Sequence, residues 1–422
     1  MFPIFGLTKD SPLSYYPINR LYMRKNPLFL CALSFLTVLS ACKTDGVEYI
    51  DESYIEEFGD LTEIAYDFKI HPLKSDAPLE GIGGIKSWGN VMLARTNNSR
   101  KILRFDNYQL TSVLDRLGGG PGEYYFIEDF SYDEVNNSIY IENDTNLVTY
   151  DATTLEFKGK QGVNIQIQNI LNVGDKMLYF GYYTDEVRNA YLQDTIVVPR
   201  ESMILVDRDE RDLRKGKVLF RESSLTRSSF GWPELFYVNP KNYSTCLPGL
   251  INTIVSFNDG EMKELYRFKL GSEPVPEYYE ELLNVDTVSL ENYRNITERM
   301  SALRGLGPYI RQTYNIMVDE GTISFRVDYN WPYLILNSPS RYLYFVRKNN
   351  KTKVYQHLRI PGLSMDVDPT GANGNHQIAI IENLGDLAID DSQPMSPLAE
   401  QILEELKKQN DDNPVLLEFR FK

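Results

Sequence analysis

Cys42 is the residue whose setting most clearly specifies a chemistry. It closes the run Leu39-Ser40-Ala41-Cys42, which follows Arg24-Lys25 and an apolar stretch from Pro27 to Val38. Basic residues, a short apolar segment and small residues before a cysteine form an export signal with a lipoprotein-type cleavage site. The stretch is too short to span a bilayer as a helix. The expected chemistry is cleavage before Cys42 and acylation of its thiol, with residues 1–41 removed as a signal segment. Asp10 and several turn formers fit that signal poorly, so Met23 is the expected start. Of the other cysteines, Cys31 lies within the signal and Cys246 stands alone. No intramolecular disulfide is expected, and Cys246 reads as a buried thiol.

Other reactive side chains are sparse. His71, His357 and His376 are far apart and joined by no cysteine, which is thin material for a zinc site or a catalytic triad. The acidic runs at 207–212 and 366–368 read as turns, and their spacing does not match an EF-hand loop. Neither a metal site nor a cofactor is expected. The glycine run Gly118–Gly122 lacks the Lys-Ser/Thr of a phosphate-binding loop and precedes a strand. It reads as a tight turn, with Glu123 and Tyr124 as candidate ligand contacts. Trp232 and Trp331 each precede a proline inside an aromatic cluster, which biases them toward extended backbone. They are further candidate contacts for a sugar or peptide, with packing between sheets as the alternative.

The elements that must position these residues are short strands. From about Leu61 the chain alternates apolar segments with Asn, Asp and Gly turns. A hairpin unit recurs, and the residues just before its turn are Phe105, Tyr150, Val206, Phe257 and Val346. The first spacings suit one four-stranded blade per unit, and the last, longer gap holds an insertion. The expected fold is an all-β six-bladed β-propeller over 58–422, with helical insertions near 276–303 and 396–409. Residues 42–57 are polar and acidic and read as a lipidated tether. The final strand, 415–421, is expected to pair with an N-terminal strand near 61–70 and close the ring.

The segment 116–144, with Gly118-Gly119-Gly120-Pro121-Gly122-Glu123-Tyr124, resembles the six-bladed β-propeller lipoproteins common in Bacteroidota. The flanks 68–74 and 412–422 are similar as well. The resemblance implies the propeller fold but no single activity. Asp194-Thr195-Ile196 and Asp286-Thr287-Val288 resemble the Asp-Thr-apolar O-glycosylation site of exported Bacteroidota proteins, which makes Thr195 and Thr287 candidate modification sites.

Charge narrows the function. The net charge is −15, and removal of 1–41 takes it to −18. Such a surface repels nucleic-acid phosphates, so no nucleic-acid partner is expected. The expected protein is a cell-envelope lipoprotein, held by its lipid at the periplasmic face or the surface of the outer membrane. Its expected role is binding or scaffolding toward a protein, peptide or glycan. The alternative is an envelope lyase or hydrolase acting through the central channel.

Overall fold

Val91–Thr96 and Ser138–Asn143 show why this chain builds stacked sheets. Their sequences, VMLART and SIYIEN, are mainly apolar, and consecutive side chains are buried, Met92 to Ala94 in the first and Ser138 to Glu142 in the second. Strands of this kind need cover on both faces. A ring of sheets supplies it, because each sheet lies between two neighbours.

The computed structural model describes residues 46–422 apart from 77, 80, 128, 185–194, 198–199, 224–242, 248, 259, 280–281, 283–286, 290–291, 293, 297, 300–301, 303–308, 331–341, 382–388, 391 and 409–412. The first blade is Ile82–Trp88, Val91–Thr96, Ile102–Asp106 and Gln109–Leu114. The second is Phe130–Asp133, Ser138–Asn143, Asn146–Asp151 and Phe157–Gly162. The third is Ile165–Val173, Lys176–Tyr183, Arg200–Asp207 and Lys217–Ser223. The fourth contains Tyr243–Leu247, Asn252–Asn258 and Glu261–Leu270. The fifth is Tyr309–Asp319, Thr322–Asn330, Tyr342–Lys348 and Lys351–Arg359. The sixth is composite: Pro369–Asn373, His376–Ile381 and Val415–Phe421 are completed by Ala65–Pro72 from the N-terminal side. Neighbouring strands within each blade are antiparallel. The architecture is the expected six-bladed β-propeller.

Closure follows the expected pairing, with Leu416 opposite His71 and Leu417 opposite Ile70. The sixth and first blades also touch at their inner strands, where Gly371 pairs with Ile85 and Ala372 with Lys86 in parallel. A β-carbon on Gly371 would lie 2.6 Å from both Cβ and O of Ile85, so this approach requires glycine.

The segment expected to be a free tether is different from Val47 onward. Val47–Ile50 adds a parallel strand to the outer edge of the fourth blade, beside Glu261–Leu270. Ile55–Asp60 does the same on the fifth, beside Lys351–Arg359. Asp51 caps a 3-10 turn and Asp60 caps a one-turn helix, and these steer the chain from one blade to the next. Residues 47–72 therefore form a strap across three consecutive blades. A parallel edge strand needs only a few apolar anchors, and Val47, Ile50 and Ile55 provide them among many acids. That is why the composition hid it.

The helix Pro397–Lys408 matches its expected span. The Ser396 hydroxyl accepts from the Ala399 N–H at 3.2 Å, and Leu398, Ala399, Ile402, Leu403 and Leu406 are buried against the sixth blade. Among the described residues of 276–303, 279, 282, 292, 294–296, 298–299 and 302 are helical.

The two faces of the ring differ. Turns between first and second strands, and between third and fourth strands, are short on one face, as at 89–90, 107–108, 320–321 and 349–350. Asn107, Tyr108, Asn349 and Asn350 all have positive φ, the geometry of tight hairpin turns. The long connections, 115–129, 184–199, 271–308, 331–341 and 382–414, leave from the opposite face.

Candidate ligand-binding site

The glycine run crosses that opposite face between the first and second blades. Its backbone folds on itself: the Gly118 N–H donates to Tyr124 O at 3.0 Å, and Tyr124 N–H donates to Arg116 O at 3.1 Å. The Glu123 carboxylate fills the turn and accepts from Gly120 N–H at 2.7 Å. A β-carbon on Gly118, where φ is +153°, would lie 2.1 Å from Glu123 Oε2. The sequence therefore uses Glu123 as the plug of the turn, its carboxylate turned inward.

Tyr124 is fully buried. Its hydroxyl lies 2.9 Å from Arg100 O and 3.1 Å from Leu114 O, and accepts from Arg116 N–H at 3.3 Å. Its ring meets Tyr150 edge-on. Burial pushes the phenol pKa up to about 12. The expectation of a ligand contact at Tyr124 is corrected: this side chain staples the turn to the first blade and offers no surface.

The neighbours take the exposed role. Tyr125 is 70% exposed and Phe126 51% exposed, while Ile127 is buried again. Ile127 is fixed by its N–H to Ser99 O at 2.9 Å and by Arg95 Nη1 to its carbonyl at 3.0 Å. The two aromatics are thus held between rigid points. A β-carbon on Gly119 would lie 3.0 Å from the Tyr125 hydroxyl, so glycine there leaves the ring its place.

Beside them is a 210 Å³ cavity, lined by Tyr125, Phe126, Glu142, Asn143, Asp144, Gln166 and Ile167. Its floor is ordered by hydrogen bonds. Asp144 N–H donates to Glu142 Oε1 at 2.7 Å, and Ile167 N–H donates to Asp144 O at 2.8 Å. The site combines two aromatic faces with carboxylates and amides, spans the second and third blades, and opens on the face of the long connections. The sequence signal that could have found it was the doubled tyrosine: in extended chain, if one points inward, the next points outward.

Other expected residues are placed as follows. Cys42, Trp232 and Trp331 lie outside the described residues. Thr195 and Thr287 begin the strands Thr195–Val197 and Thr287–Ser289, which pair with each other, Thr195 opposite Ser289 and Val197 opposite Thr287. Cys246 is buried among the fourth- and fifth-blade core residues. The histidines lie away from the innermost strands: His71 is on the outermost strand of the sixth blade, His357 is on the fifth-blade strand that Ile55–Asp60 covers, and His376 opens a second strand. Among the described residues, no three His, Cys, Asp or Glu side chains converge as a metal site requires. No helix among them is long and apolar enough to cross a membrane.

Fold and site together define a six-bladed β-propeller with an exposed pair of aromatics on its long-connection face. The chain belongs to the DUF5128 family, described as a 6-bladed beta-propeller, which it matches over residues 43–295. It also resembles the crystal structure of a Bacteroides fragilis protein described as a candidate exported protein. There the identity is 16%, the TM-score is 0.57, and 89% of this chain and 99% of that one are covered. A member of the duf4221 family from Bacteroides vulgatus matches with 10% identity and a TM-score of 0.40, over 85% of this chain and 97% of that one. No protein of curated function matches significantly.

Proposed function

We propose that this chain is an exported, lipid-anchored binding protein of the cell envelope, and that it holds a glycan against Tyr125 and Phe126. The observation that carries the reading is this pair of exposed aromatics, fixed between a stapled turn and Ile127, next to a cavity of carboxylates and amides. Sugar rings present an apolar face that stacks on aromatics and a rim of hydroxyls that pairs with carboxylate and amide oxygens. Export and anchoring are supported by the signal and Leu39-Ser40-Ala41-Cys42, and export alone also by the description of the Bacteroides fragilis structure as an exported protein. Trp232 and Trp331 are proposed as further contacts on the strength of their Trp-Pro contexts, and Thr195 and Thr287 as modification sites on that of their Asp-Thr-apolar sequences. Immobilised envelope glycans and peptides, screened with the purified protein, test the ligand class. Retention on glycans that Tyr125→Ala and Phe126→Ala abolish is the expected result. Retention on peptides alone would replace the glycan by a peptide ligand.

A further inference from the structure

The chain has three histidines, and each meets the N-terminal strap while facing a carboxylate. His376 Nε2 lies 2.8 Å from Oδ2 of Asp67, a strap residue. His71, itself in the strap, lies 3.8 Å through Nε2 from Glu418 Oε2 on the last strand. His357 Nδ1 lies 2.5 Å from Asp366 Oδ2, and its ring stacks on Phe58 of the strap with centroids 5.4 Å apart. The three positions thus sit along the strap, one at the fifth blade and two at the sixth.

The geometry is built to be read by a proton. Asp67 has φ +53°, and the ladder shifts register between Glu418 and Arg420 opposite it. A bulge of this kind re-aims a side chain, and here the side chain reaches His376. His376 Nε2 also lies 3.1 Å from Lys69 Nζ. In neutral imidazole that nitrogen can accept from the exposed ammonium; in imidazolium it can only donate, and Asp67 is the acceptor present. His71 Nε2 is buried without a hydrogen-bond partner among the described residues, and its ring lies flat on Tyr108 at 3.9 Å.

We propose that these three pairs form a proton-operated clasp, which tightens the strap on the fifth and sixth blades when the histidines are protonated and loosens it when they are neutral. The other charged groups at the seam are accounted for. Arg420 is paired with Asp319 and, at 3.4 Å, with Glu320. Arg359 donates to Asp366 Oδ1 at 3.0 Å and caps the Phe58 ring. Lys353 faces Glu56 at 3.9 Å. Lys69 opposes His376, but it is exposed and free to turn toward solvent. Around His71 stand Glu418, Tyr108 and the neutral Asn373. Each proton taken up places a cation beside a carboxylate, so the clasp strengthens on acidification. It holds until the carboxylates themselves take up protons.

The test is amide exchange of peptides within 55–72 in the intact folded protein at pH 5.5 and 7.5. Rates are corrected for intrinsic pH dependence and referred to the second-blade peptide 138–151. The expected result is a strap-to-reference ratio about threefold to tenfold higher at pH 7.5, in the range of modest ion-pair effects on local opening. His71→Gln/His357→Gln/His376→Gln should flatten that dependence. If the triple variant does not fold, His376→Gln alone should reduce the dependence. An equal ratio at both pH values in the wild type, or the same dependence in a folded variant, overturns the clasp. The test is independent of the ligand.

Discussion

The Tyr108 hydroxyl donates to the Glu418 carboxylate across 2.9 Å and ties a turn of the first blade to the strand that ends the chain. Tyr108 has φ +65°, a region bulky side chains avoid at a cost of about 1–2 kcal/mol. The bond to a buried carboxylate and the stack on His71 offset that cost. Tyr108→Phe leaves an acceptor of Glu418 unpaired and keeps the strain. It should destabilise the protein by about 1–3 kcal/mol in chemical denaturation. A change within error would show that the bond does not hold the closure.

Glu418 also predicts a pH dependence. Burial pushes its carboxyl up, but the hydrogen bonds from Asn373 and Tyr108 and the His71 ring 3.8 Å away together outweigh burial and leave it below the ordinary glutamate value. A carboxylate depressed on folding contributes stability above its unfolded value, and this is lost as pH falls through the folded one. Denaturation midpoints should therefore fall on acidification below the usual glutamate range. Glu418→Gln should be less stable at neutrality and show a shallower acid slope. An unchanged slope would remove Glu418 from the account.

Ring closure can be probed at its tightest point. Gly371→Val forces side-chain atoms into Ile85 of the first blade. Overpacking there should cost about 1–3 kcal/mol or more and broaden the thermal transition. Gly174→Ala is the control: φ is +63° but nothing lies within 4 Å, so only backbone strain of about 1–2 kcal/mol is expected. Equal costs at the two positions would mean that the contact with Ile85 is not tight.

Anchoring is tested at Cys42. Cys42→Ala should move the protein from the membrane fraction to the soluble one, and intact mass of the wild type should show acyl chains. A variant that stays with membranes at high salt would contradict acylation at this residue.

The sequence was most legible where blades repeat. Phe105, Tyr150, Val206, Phe257 and Val346 are all buried, and each sits on the strand preceding the blade's outermost turn of its own chain. The closure was legible because a clean strand after a helix needs a partner. The strap was not, since few apolar residues suffice to add an edge strand. The site was half legible. The glycine run marked the loop, but two adjacent tyrosines give no sign of which one points inward. Tyr124 is the buried one and Tyr125 the exposed one. Hydrogen bonds to Arg100 and Leu114 decide that, and both are contacts made only in the folded chain.

The most direct test of the central claim is calorimetric titration of a retained envelope glycan into wild type, Tyr125→Ala and Phe126→Ala, with melting temperatures measured alongside. Loss of a stacking ring should weaken binding by about 1–3 kcal/mol, roughly fivefold to 150-fold, while each variant melts within a few degrees of the wild type because the removed ring is exposed. Binding that is unchanged in both variants would contradict the aromatic site on this face of the propeller.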